Sequence, residues 1–166
     1  MADDATMTIK AVLLPEEIQA TLKDLTFSYT PADANDKWFY GIVNVPHNTG
    51  GVDLISGKFL ASSAGVATGT ENADISVSDK VKFLFIKNTG TTDGSTTSAE
   101  SVMLVFDGST VAHSSTNAVE ISAGHSWFAK LPNTTIADLH AISADPDQTV
   151  GGANVQCIVA AILDDV

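Results

Sequence analysis

A histidine, a serine and a tryptophan stand side by side at His125-Ser126-Trp127, within ISAGHSWFAKLPNTT (121–135). A histidine beside a hydroxyl could act as general base to a nucleophile, and a tryptophan could stack on a ligand. The other histidines are His47, His113 and His140, and no two of the four fall at H-x-H, H-x-x-x-H or H-E-x-x-H spacing. A metal centre would therefore have to be assembled from distant strands. A Ser-His-Asp arrangement is defined in space, yet no G-x-S-x-G elbow is present to suggest one. Neither G-x-x-x-x-G-K-[ST] nor G-x-G-x-x-G occurs, which leaves nucleotide binding without support. His125 reads as a residue at the edge of the Ala123-Gly124 turn, with Trp127, Ala129 and Leu131 marking one face of the strand that follows. On these grounds no catalytic, cofactor-binding or metal residue is assigned, and the chain is expected not to be an enzyme.

Carboxylates offer the next possibility. Asp145-Pro146-Asp147 and Asp164-Asp165 could present oxygens to Ca²⁺, but neither has EF-hand spacing, and Asp-Pro-Asp forms a turn without metal. The glutamates Glu16, Glu17, Glu71, Glu100 and Glu120 show no sign of the apolar cleft that would raise one carboxyl pKa for glycoside hydrolysis. The single cysteine, Cys157, excludes an internal disulfide and a multi-cysteine zinc site, and its apolar neighbours read as those of a buried, inert thiol. Trp38-Phe39-Tyr40 sets Trp38 and Tyr40 on one face of a strand and Phe39 on the other. A Trp/Tyr face could stack on sugars or anchor a partner protein; the preferred reading is that one side is core and a neighbouring sheet or subunit covers the other.

These residues sit in a chain of 166 residues, 44% hydrophobic, with a formal net charge of −12. All eight basic residues are lysines. Arginine is the usual fork-shaped ligand of phosphate and guanine, and an acidic surface repels the phosphate backbone, so nucleic acid is not an expected partner. MADDATMTIK lacks the layout of a signal peptide, and no apolar run approaches the ~20 residues that cross a bilayer, so a soluble protein made in a cytoplasm is expected, with no membrane partner.

The elements that must position any site are short strands separated by turn signals. They are expected at Thr6–Leu13, Leu25–Tyr29, Lys37–Val45, Val52–Leu60, Lys80–Asn88, Glu100–Phe106, Asn117–Ile121, Ser126–Leu131, Thr135–Ser143 and Asn154–Leu163. In KVKFLFIKN, Val81, Phe83 and Phe85 alternate and are expected to form the buried face. Pro15-Glu16-Glu17 could open one helical turn; Asp107-Gly108 signals a hairpin; Gly90 to Ala99 is a low-complexity loop; Pro132-Asn133 reads as a turn. The expected fold is all-β, a single antiparallel two-sheet sandwich of jelly-roll type over 15–166, preceded by an N-terminal arm or strand over 1–14.

VKFLFIKNTGTTDGS, ESVMLVFDG, AVEISAGHSWFAKLPNTTIADLHAIS and VQCIVAAILDD resemble segments of small virion structural proteins of tailed bacteriophages, especially marine and cyanobacterial ones. The likeness covers roughly Lys80 to Val166, with weaker support from the Trp-Phe-Tyr segment, and contains no catalytic motif. His125 stands where that pattern would place a glutamate. The resemblance implies a jelly-roll-like subunit, trimeric, that decorates or cements a capsid exterior through the major capsid protein. A small tail, neck or fibre-associated component is the structural alternative. A carbohydrate-binding sandwich using Trp38, Tyr40 or Trp127 is the alternative from another class.

Overall fold

Alternation of β-branched and aromatic residues with polar ones runs through most of the chain, and it is realised as strands. The structure, a computed structural model, describes residues 5–9, 25–31, 35–47, 51–60, 74–106, 118–144 and 152–166. Among them are β1 (Ala5–Ile9), β2 (Leu25–Tyr29), β3 (Asp36–Val45), β4 (Val52–Asp53), β5 (Lys80–Asn88), β6 (Ser101–Val105), β7 (Val119–Ile121), β8 (Ser126–Thr135), β9 (His140–Ala144) and β10 (Val155–Asp164). A 3-10 turn, Ile136–Asp138, joins β8 to β9. No helix among the described residues is long and apolar enough to cross a membrane.

Two four-stranded sheets, β3-β10-β5-β8 and β4-β9-β6-β7, form the sandwich, and β1 and β2 make a separate two-stranded ribbon. The pairings β6 with β7, β5 with β8, β4 with β9 and β3 with β10 are all antiparallel. They describe one long hairpin, its tip at β6–β7 and its open end at β3–β10, rolled so that successive strand pairs alternate between sheets. That winding is the jelly roll. The all-β sandwich expected from periodicity is therefore the fold observed.

The core lies between the sheets. From the first sheet come Phe39, Val45, Val81, Leu84, Ile86, Val159, Ala161 and Leu163; from the second come Val102, Leu104, Ile121, Leu139 and Ala141. Burying each large aliphatic or aromatic side chain contributes about 1.5–3 kcal/mol. Facing residues alternate large with small, as packing to crystal-like density requires. Phe39 lies beside Ala161, and Gly41 beside Val159. A Cβ on Gly41 would stand 2.8 Å from Cζ of Phe39, so the ring occupies the space a side chain there would need.

Several local expectations change. In β5, Lys82 is skipped in the ladder with β10: Ile162 pairs with Phe83 and Leu163 with Val81. This bulge reverses the alternation. Val81, Leu84 and Ile86 face the core, while Phe83 and Phe85 belong to the outer face, against the Val81-Phe83-Phe85 face expected. Pro132-Asn133 does not turn the chain; it lies inside β8, where residues 131–133 oppose Lys82 alone. An edge strand and a bulge are the places a sheet tolerates proline, which donates no ladder hydrogen bond. Of Val52–Leu60 only Val52 and Asp53 are strand, and Thr135–Ser143 divides between the end of β8, the 3-10 turn and β9. The first strand is seen over Ala5–Ile9 and pairs with β2 of its own chain. Residues 10–14, the Pro15 turn, the Asp107-Gly108 hairpin and the Asp145-Pro146-Asp147 turn lie outside the described residues.

Candidate functional site

His125-Ser126-Trp127 comes apart as the chain leaves its turn. Gly124 takes φ +77, a conformation glycine adopts without strain, and the His125 N–H donates to Ser122 O at 3.0 Å to close the reversal. His125 and Ser126 are exposed, while Trp127 turns inward against the core, its ring 5.7 Å from that of Phe106. A tryptophan so placed offers no platform to a ligand. The other histidines are equally dispersed. His47 Nδ1 lies 2.9 Å from Asn154 Oδ1, whereas His140 Nε2 is 2.7 Å from Ala137 O and 3.7 Å from Asp53 Oδ1. His113 lies outside the described residues. No group of three His, Cys, Asp or Glu among the described residues could hold a metal ion.

The carboxylates are occupied structurally. Asp164 pairs with the bulged Lys82 at 2.9 Å, and Asp165 pairs with Lys37, which is buried with its ammonium 5.0 Å from the Phe59 ring centroid. The C-terminal aspartates thus tie β10 to β5 and β3. Glu120 accepts from Ser101 Oγ at 2.8 Å and Glu100 from Gly152 N at 3.1 Å. Glu16, Glu17, Glu71, Asp145 and Asp147 lie outside the described residues. Cys157 is buried on the core side of β10, and desolvation pushes its thiol up to about 12, which holds it protonated and unreactive.

The low-complexity loop is more ordered than its composition suggests. Asp93 Oδ1 accepts from the N–H groups of Ser95 and Thr96 at 2.9 and 2.7 Å, and Oδ2 accepts from Thr96 Oγ1 at 3.0 Å. Those donors, the backbone N–H groups first, hold its carboxyl well below the usual carboxylate range. The loop is clamped to β10 by Thr89 N donating to Gln156 O and Gln156 N donating to Thr91 O.

What the fold assembles instead is a surface. Strand register stacks the outer face of the first sheet in rows that cross all four strands. Trp38, Ile162, Phe83 and Lys130 form one row; Tyr40, Ala160, Phe85 and Phe128 the next; Ile42, Ile158, Lys87 and Ser126 the third. Exposure rises along the series. Ile162 and Phe83 are buried in a cluster against which Tyr29 of β2 packs, with Trp38, Phe85 and Phe128 partly buried around it. Tyr29 is anchored by its hydroxyl donating to Asp36 Oδ2 at 3.1 Å and by Lys130, whose ammonium lies 5.7 Å from its ring. At the far end Tyr40 and Ile42 stand 53% and 61% exposed. The result is an apolar, aromatic face, covered at the Trp38 row and open at the Ile42 row.

The Trp38/Tyr40 face was legible in the alternation of WFY. Phe85 and Phe128 were assigned elsewhere or not singled out. The signal that could have placed them is the unbroken run Phe83-Leu84-Phe85-Ile86, since a strand apolar at every position is buried on both faces. Comparison of the chain with family models, with curated proteins and with solved structures finds no match.

Proposed function

We propose that this chain is a structural protein of a tailed-phage virion, a decoration protein that binds the outside of the shell and strengthens contacts between major capsid subunits. The observation that supports this reading is the aromatic outer face just described, with Tyr40 and Ile42 more than half exposed at its open end. Such a face works by apolar contact. The cores of protein–protein interfaces are depleted of charge and enriched in aromatic residues, and the Tyr40, Ala160, Phe85 and Phe128 row has that composition. A charge of −12 without arginine suits a protein that must be present in many copies and show no affinity for packaged DNA. Double-sheet jelly rolls occur in capsid and in lectin domains alike, so the fold permits the role without selecting it.

Tyr40, exposed beside the half-buried Trp38, favours a second reading as a carbohydrate-binding module. The two are separated by counting and by binding. A decoration protein is found in purified virions at hundreds of copies by quantitative mass spectrometry and binds expanded shells; a tail or fibre component is found in a few to a few dozen. A lectin-like module binds glycans in an array, and Tyr40→Ala abolishes that binding with the fold intact. Absence of the chain from the particle would overturn the proposal.

A further inference from the structure

We infer that the open edge of β3 pairs with the same edge of a second copy, antiparallel across a two-fold axis at Ile42, joining two four-stranded sheets into one continuous sheet. A sheet edge carries a row of N–H and C=O groups able to template another strand, and proteins blunt such edges with short strands, bulges, proline and lysine. Three of the four sandwich edges are treated this way. β4 has two residues and β7 three, while β8 carries Lys130, Pro132 and the bulge opposite Lys82. The remaining edge, β3, has ten residues, and between Tyr40 and Val45 it holds no charge, no proline and no bulge in its ladder with β10.

The backbone defines how much of that edge is unpaired among the described residues. Trp38 O accepts from Leu60 N at 2.9 Å, so the even-numbered residues of β3 direct their backbone groups away from β10. At the other end Pro46 O accepts from Ser143 N at 2.8 Å, tying the chain to the second sheet. Between these ties, no backbone partner among the described residues meets the outward N–H and C=O groups of Tyr40, Ile42 and Asn44. The same three residues have exposed side chains.

This stretch matches itself. With the two-fold at Ile42, Ile42 lies opposite its own copy and Tyr40 opposite the partner's Asn44, each pair exchanging both of its N–H···O bonds. Every outward donor then meets an acceptor, and the exposed Tyr40 and Ile42 side chains come together on one face. Charge restricts where two copies can meet. Two copies of a chain at −12 repel wherever their acidic surfaces meet, and the Tyr40–Val45 segment lets them touch without opposing any carboxylate to another. A three-fold ring needs two different patches to meet, whereas a self-matching patch closes as a pair.

The test is sedimentation velocity with light scattering over a concentration series of the full chain. The wild type is expected to reach twice the 17.3 kDa chain mass, and Ile42→Lys, which sets two ammonium groups across the two-fold, to remain at the single mass with an unchanged circular dichroism spectrum. Tyr40→Lys serves equally should Ile42→Lys fail to fold. Val77→Lys, at a site of similar exposure in the turn before β5, leaves the pair intact. Hydrogen exchange checks the wild type without substitution: the Tyr40, Ile42 and Asn44 amides become as protected at high concentration as those of Gly41 and Val43. A wild type of single mass at every concentration, an oligomer that survives both edge substitutions, or outward amides that stay fast in the oligomer would each overturn the pairing.

Discussion

Asn88 does more for this fold than any residue that looked like chemistry. It is fully buried at the end of β5, and its Nδ2 donates to Glu100 O at 2.9 Å and to Ile121 O at 3.0 Å, while its Oδ1 accepts from Gly90 N at 2.9 Å. One amide thereby links the first sheet to β6 and β7 of the second and fixes the turn at Gly90. Asn88→Ala leaves two carbonyls and an N–H short of partners, so urea unfolding is expected to show a loss of about 2–4 kcal/mol, from roughly 1–3 kcal/mol per buried unsatisfied group. Asn88→Asp keeps the shape but aims an anion at two carbonyl oxygens. It should lose at least as much at neutral pH and regain part of it on acidification. Cys157 gives a prediction of the same sign at higher pH. With its folded thiol raised to about 12 from an ordinary 9.0, its contribution is complete below pH 9 and is lost as the unfolded chain releases the proton at higher pH. Native protein at pH 8 should therefore leave a thiol reagent unreacted, and urea-unfolded protein should consume one equivalent. Asn88 was unremarkable in the sequence, where it is one asparagine two residues before a glycine. Its weight comes from three partners distant in the chain.

At the scale of the element, β5 shows how a single inserted residue redirects a surface. The bulge at Lys82 shifts the phase of KVKFLFIKN, so that Leu84 and Ile86 enter the core while Phe85 joins the outer row with Tyr40, Ala160 and Phe128. Leu84→Ala is expected to cost about 2–5 kcal/mol in chemical denaturation, the range for deleting a fully buried leucine. Phe85→Ala, half-buried on the outer side, should cost less, and on the proposed reading it weakens shell binding instead. Were simple alternation correct, the ranking would invert, because Phe85 would be the core residue. β3 makes the complementary point. Its alternation was read correctly, with Trp38 and Tyr40 on one face and Phe39 on the other, because no bulge interrupts it; the packing then turns Phe39 inward. Gly41→Ala, whose Cβ would collide with the Phe39 ring, is expected to lower stability by about 1–3 kcal/mol through overpacking.

At the scale of the whole molecule, charge is set against winding. Twenty acidic residues face eight lysines, and the pairs that relieve this imbalance differ in worth. Lys58–Asp74 is exposed and contributes little, whereas Lys37–Asp165 joins a buried lysine to a partly exposed aspartate and is screened less. Net self-repulsion therefore dominates the salt response. Raising ionic strength from about 0.01 to about 0.15 M shortens the screening length from roughly 30 to roughly 8 Å. The melting temperature followed by circular dichroism is expected to rise across that range; a fall would mean that ion pairs outweigh repulsion.

The sequence by itself determined the class of this protein: period-two alternation, turn residues and the absence of long helical periods specify an antiparallel β-sandwich. These are local properties, and local geometry enforces them. Which strands become neighbours, which face of β5 meets the core and which edge stays open were decided only by tertiary structure. The closing pair β3–β10 joins segments far apart in the chain, and one bulge reverses the parity of every residue beyond it. The exposed aromatic face, and the edge of β3 that is unpaired among the described residues, are products of that closure. A strand carries the same alternation whether it lies at the centre of a sheet or at its rim.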